Sequence, residues 1–151
     1  MSNNLRPGQK GERLPGGIVV VRLSKGVFDL ASAHASQFDL STADKESDLQ
    51  ALSVWAIELT PVEKARDLMG DKRADYRAAL HLNVNDVRDL QLSDDSPIKP
   101  LDVVWEPLNQ PGAEGHSGII GLQRPKEAPR DKYKTLRARL AAIATVQILY
   151  D

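Results

Sequence analysis

Residues 100–123 constrain the fold more than any other stretch of this sequence. They read Pro-Leu-Asp-Val-Val-Trp-Glu-Pro, then Leu-Asn-Gln-Pro-Gly-Ala-Glu, then Gly-His-Ser-Gly-Ile-Ile-Gly-Leu-Gln. β-Branched and aromatic side chains suit a pleated surface, and clustered Pro, Gly and Asn interrupt it. The pattern therefore predicts two strands joined by a loop over 108–114. That loop is longer than a tight hairpin needs, so it has room to carry chemistry. Asp102, Trp105, Glu106, His116 and Ser117 gather at or near its ends.

Further strands are expected on the same grounds. Ile18, Val19, Val20, Val21 and Leu23 form a nearly continuous apolar run, as in a strand covered on both faces. A second short strand is expected over 27–30, after the turn Ser24-Lys25-Gly26. Residues 51–59 resume the pattern, with Trp55, Ile57 and Leu59 pointing one way. Over 76–84 the alternation is clean: Tyr76, Ala78, Leu80, Leu82 and Val84 share one face, and Arg77, Ala79, His81 and Asn83 the other. Residues 87–92 read as one more short strand. The polar stretch 31–50 reads as a long loop or weakly ordered insertion, and residues 1–16, with almost nothing to bury, as a flexible N-terminal tail.

Two helices are expected. Thr60-Pro61-Val62-Glu63 is a helix start, with Thr60 as cap, Pro61 in the first turn and Glu63 at the reciprocal capping position. This helix should bury Val62, Ala65, Leu68 and Met69 and stop at Gly70. The second covers 131–149, where Tyr133, Leu136, Leu140 and Ile143 recur at three- and four-residue steps. The chain thus reads as one α+β domain over 17–151: a mainly antiparallel sheet of about five to seven strands, with two helices packed on one face. The run 51–84 leaves open a single parallel pair.

At 151 residues, 41% apolar and 27% charged, the chain is long enough and balanced enough for one packed core. Twenty basic and 21 acidic residues give no global attraction to nucleic acid or an anionic membrane. Seven basic residues against two acidic over 124–139 are a local excess, but helical geometry splits them between two flanks of an apolar stripe. Nucleic acid is therefore not the expected partner. With no cysteine there is no disulfide or thiolate metal site. No segment approaches the roughly 18 consecutive apolar residues of a membrane span. The N-terminus lacks an apolar signal core, so the expected setting is cytoplasmic.

Several constellations bear on chemistry. His116 is a candidate general base, because imidazole titrates near neutrality. Asp102 or Glu106 on the neighbouring strand would orient it, and Ser117 would be the nucleophile. Consecutive strand residues point to opposite faces, however, so His116 and Ser117 should diverge. Gly115-His116-Ser117-Gly118 is also one residue short of a nucleophile elbow. The three histidines, His34, His81 and His116, show no metal-ligand spacing, and no Walker loop or GxGxxG is present, so neither metal nor cofactor is expected. Trp55 and Trp105 have strand parity with apolar neighbours and read as core. Trp55, Thr60 and the strand around His81 resemble the strand-to-helix passage of ADP-ribosyltransferase-like folds. The similarity stops at those positions, and no family is drawn from it.

Two functional readings remain. The first is a small binding or accessory protein that acts through a protein partner. The second is a small hydrolase or transferase using His116 with Asp102 or Glu106. A cleft holding groups with shifted pKa values would favour the enzyme, and a flat apolar patch the binding module.

Overall fold

The run Val19-Val20-Val21 offers no polar face to water, and it lies inside a sheet whose two faces are both covered. The computed structural model describes residues 5–25 and 33–150. Through them runs a six-stranded antiparallel sheet made of β1 (Val19–Ser24), β2 (Leu52–Ala56), β3 (Ala78–Asn83), β4 (Asp102–Trp105), β5 (His116–Ile120) and β6 (Thr145–Ile148). Its spatial order is β4-β5-β2-β1-β3-β6. β2 and β3 flank β1, each antiparallel to it, and among the described residues every strand pairing is antiparallel. The strand expected over 27–30 lies outside the described residues.

β1 pairs with β3 along its whole length, from Val19↔Asn83 to Ser24↔Ala78. With β2 it pairs only at Val20↔Ala56 and Val21↔Trp55. Beyond Val21 the two strands part, and Arg22 enters the gap. Its Nη1 donates to the Ser53 carbonyl at 3.1 Å and its Nε to the Gln37 carbonyl at 3.3 Å.

Alternation along the strands builds two cores. Val20, Leu52, Val54, Leu80, Leu82, Val103, Trp105 and Ile119 face one side. There they meet Val84 and Val87 of α3 (Val84–Asp89) and Tyr133, Leu136 and Leu140 of α4 (Arg130–Ile143). Val21, Leu23, Trp55 and Ala79 face the other side and meet Ala65 of α2 (Val62–Asp67), Ala113 and Leu149. The two expected helices therefore pack on opposite faces rather than on one. Leu136 and Leu140 are fully buried, each contributing about 1.5–3 kcal/mol by the area it removes from water.

The structure departs from the sequence reading in four further places. The stretch 87–92 is not a strand, because α3 begins at Val84, where the Asn83 side chain accepts from the Asn85 N–H at 2.9 Å. The last expected helix ends at Ile143, and the β-branched Thr145-Val146-Gln147-Ile148 then pairs with β3 as an edge strand. The polar stretch 31–50 holds a short 3₁₀ turn, Ala35–Phe38, and α1 (Thr42–Glu46), capped by Ser41. Phe38 from this stretch is fully buried in the first core.

The fourth departure is at the N-terminus. Residues expected to find nothing to bury instead run along the outer edge of β4. The N–H groups of Gly11 and Leu14 donate to the carbonyls of Trp105 and Val103, and Trp105 N–H donates to the Glu12 carbonyl. Leu14 is buried in the first core. An unpaired sheet edge invites association with other strands, and this segment covers it.

Candidate active site

His116 opens β5, and the antiparallel register turns it toward the second core beside its β2 partner Trp55. The two rings meet edge to face, with centroids 4.8 Å apart. His116 is buried, 7% exposed, and both of its ring nitrogens are engaged. Nδ1 lies 2.6 Å from the backbone carbonyl of Glu106, and Nε2 lies 2.6 Å from Ser53 Oγ. A carbonyl only accepts, so Nδ1 carries the proton and the neutral ring presents a lone pair at Nε2. The Ser53 hydroxyl consequently donates to His116, the polarity that activates a serine.

Electrostatics favours this neutral ring. Burial lowers the His116 pKa from its ordinary value, while the hydrogen bond to the Glu106 carbonyl and the charge of Asp44 pull the other way. The Glu106 carboxylate stands 3.8 Å from Nδ1, too far for a hydrogen bond but close enough to favour an imidazolium once one forms. Burial raises the Glu106 pKa, Asp44 adds to the rise, and Lys10 opposes it.

Glycine and threonine chemistry fixes the loop that delivers His116. Thr60 is fully buried, and its hydroxyl donates to the Gly112 carbonyl and accepts from the Gly115 N–H, each at 2.8 Å. It does not cap α2, whose cap position is Pro61 without a side-chain hydrogen bond. A Cβ at Gly115 would lie 2.5 Å from the Ala56 carbonyl oxygen, so only glycine lets the loop approach β2 here. Gly112, with φ +86°, makes the turn before it. Ala113, with no exposed surface, plugs the loop into the second core.

The other residues expected at this site are elsewhere. Ser117 points into the opposite face, fully buried, with its hydroxyl donating to the Gly115 carbonyl at 3.0 Å. Asp102 pairs with Ile120, at the far end of β4–β5 from His116. It binds Arg88 Nε at 2.6 Å and Arg13 Nε at 2.7 Å, a strut between α3, β4 and the N-terminal segment. Burial alone would raise its pKa, but these bonds, Arg88 foremost, hold it below the usual carboxylate range. The trio Asp102, Glu106 and His116 therefore does not converge. Among the described residues no group of three potential metal ligands comes together. His34 caps the 3₁₀ turn, and His81 Nε2 bonds Gln147 Oε1 at 2.7 Å. In the basic segment, Arg137 meets Asp39, Arg139 meets Asp94, and Arg124 folds onto the Ala128 carbonyl.

Ser53, which the sequence reading passed over, is the side chain that opens to solvent. It lines a crevice of about 500 Å³ where β1 and β2 part, together with Arg22, Asp44, Trp55, Met69 and Tyr76. A signal for it existed: Ser53 interrupts the apolar run of β2 two residues before Trp55, at the parity of the face that receives His116. An antiparallel α+β domain with a serine in the wall of a crevice and a buried histidine bonded behind it is the class that fold and site define. Comparison of the chain with protein-family models, curated proteins and solved structures found no match.

Proposed function

We propose that the chain is a small hydrolase or transferase acting on acyl substrates, with Ser53 as nucleophile and His116 as general base. One observation carries the reading. The Ser53 hydroxyl, on the crevice wall, lies 2.6 Å from an Nε2 left unprotonated by the bond from Nδ1 to the Glu106 carbonyl. Ser53 Oγ attacks the substrate carbonyl carbon while its proton passes to His116 Nε2. The tetrahedral intermediate then expels the leaving group, which takes that proton, and leaves an ester on Ser53. Water or a second acceptor, deprotonated by the same nitrogen, releases the acyl group. Glu106 serves twice: its carbonyl fixes the tautomer, and its carboxylate favours the transient imidazolium. A cytoplasmic setting belongs to the same proposal, and the cysteine-free sequence suits it.

A protein partner, the first of the two readings from sequence, would be favoured by a contiguous apolar patch. Among the described residues the exposed large apolar side chains are Ile98, Leu108 and Tyr150, on three separate segments. No helix of the described residues is long and apolar enough to cross a membrane.

Hydrolysis of activated esters such as 4-nitrophenyl acetate tests the proposal. Ser53→Ala should abolish turnover, and His116→Gln should slow it by about 10²–10⁴-fold, the usual contribution of a general base. Ser117→Ala should leave it unchanged. Equal turnover by the wild type and Ser53→Ala would refute the assignment.

A further inference from the structure

The crevice has a charge that the serine–histidine chemistry leaves unused. Arg22 reaches it from β1, and its two hydrogen bonds go to carbonyl oxygens, which leave its positive charge standing. Burial works against the charged form, and Asp44 and Tyr76 only partly offset it. A guanidinium is a planar fork suited to a carboxylate. The same group holds the Ser53 carbonyl, so an anion seated on it lies within a residue of the nucleophile.

The charge of the anion follows from the walls. Among the described residues, Arg22 and Lys25 against Asp44 leave one net positive charge, which favours a monoanion over a phosphate dianion. Lys25 sits over the Tyr76 ring, 5.7 Å from its centroid, and Trp55, Met69 and Tyr76 supply apolar and aromatic surface. Resting on the Ser53–His116 reading, we infer that the substrate is a small ester whose body is apolar or aromatic and bears a single carboxylate bound by Arg22. Arg22 is thereby a specificity residue, and Ser53 the reacting one.

Benzoate, its neutral counterpart benzamide, and inorganic phosphate are the probes, each titrated against the full chain while the Trp55 indole N–H resonance is followed. Benzoate should shift that resonance and saturate, with benzamide at least about tenfold weaker, the scale of one charge-assisted pair. Phosphate should not displace benzoate. Ser53→Ala should keep benzoate binding, and Arg22→Lys, which keeps charge but loses the fork, should weaken it about tenfold. If Arg22→Lys does not fold, the comparison of benzoate with benzamide on the wild type decides. Equal binding of the two, no benzoate binding, or displacement by phosphate overturns the inference and leaves ester hydrolysis at Ser53 standing. Benzoate binding without any ester turnover removes the hydrolase reading alone and leaves the anion site.

Discussion

Ser53 and His116 can be separated by experiment because their structural roles differ. Ser53 holds one hydrogen bond to His116 and is partly open to the crevice, so Ser53→Ala should cost about 1 kcal/mol. Removing His116 would leave the Glu106 carbonyl, Ser53 and one edge of Trp55 without a partner, which makes it the poorer probe of chemistry. The pH dependence belongs to His116. Its folded-state pKa lies below the ordinary 6.5, so the neutral base persists on acidification past the point where an exposed imidazole would protonate. Turnover should therefore hold at pH 6.5 and fall only on a limb below it; a limb centred above 6.5 would contradict the buried, neutral ring. Linkage has the same direction. The contribution of His116 to stability is whole above 6.5 and is lost as pH falls through the lowered value, because the unfolded chain takes up the proton first. Thr60 gives a stability test. Thr60→Val keeps the shape but leaves the Gly112 carbonyl and the Gly115 N–H unpaired, and should cost about 1–3 kcal/mol in urea denaturation. Helix content should not change, since Thr60 does not cap α2. A helix signal that drops with the variant would restore the capping role.

Among the elements, the N-terminal segment was the hardest to foresee. Glycine, proline and charge over residues 7–13 describe a solvated tail when read alone. Leu14 is the fully buried apolar anchor, with Leu5 partly buried against the same core, and the partner strand β4 lies 89 residues along at the Arg13–Asp102 contact. Local pattern cannot carry such non-local pairing. Deleting residues 1–14 should remove the buried Leu14 and the cover on β4, lowering stability by at least about 2 kcal/mol. It should also promote self-association through the bare edge, visible by light scattering. An unchanged denaturation midpoint would mean the segment contributes nothing. α3 and β6 failed for a different reason. Val84, Val87 and Leu90 fit a helical step, and the Asn83 cap together with the burial of Val84 and Val87 in the first core favours the helix. Four β-branched or polar residues after Ile143 continued a helical period that tertiary pairing with β3 overrode.

At the scale of the molecule, the antiparallel α+β architecture was legible because its strands carry strong local signals: the valine run, the alternation of 76–84, and the two runs flanking 108–114. Alternation also foretold that His116 and Ser117 would face opposite ways. The proposed nucleophile was not legible. Ser53 reaches His116 across 63 residues, through a β2–β5 pairing that no local spacing encodes, and its crevice exists only because β1 and β2 separate after Val21. The central claim is that this long-range pair makes Ser53 a nucleophile, and a fluorophosphonate tests it most directly. The chain should be treated with the reagent at neutral pH and the adduct located by peptide mapping. One adduct per chain, on Ser53 and absent from Ser53→Ala and His116→Gln, is the predicted result. An unmodified chain, or an adduct on Ser117 or another serine, would contradict the assignment.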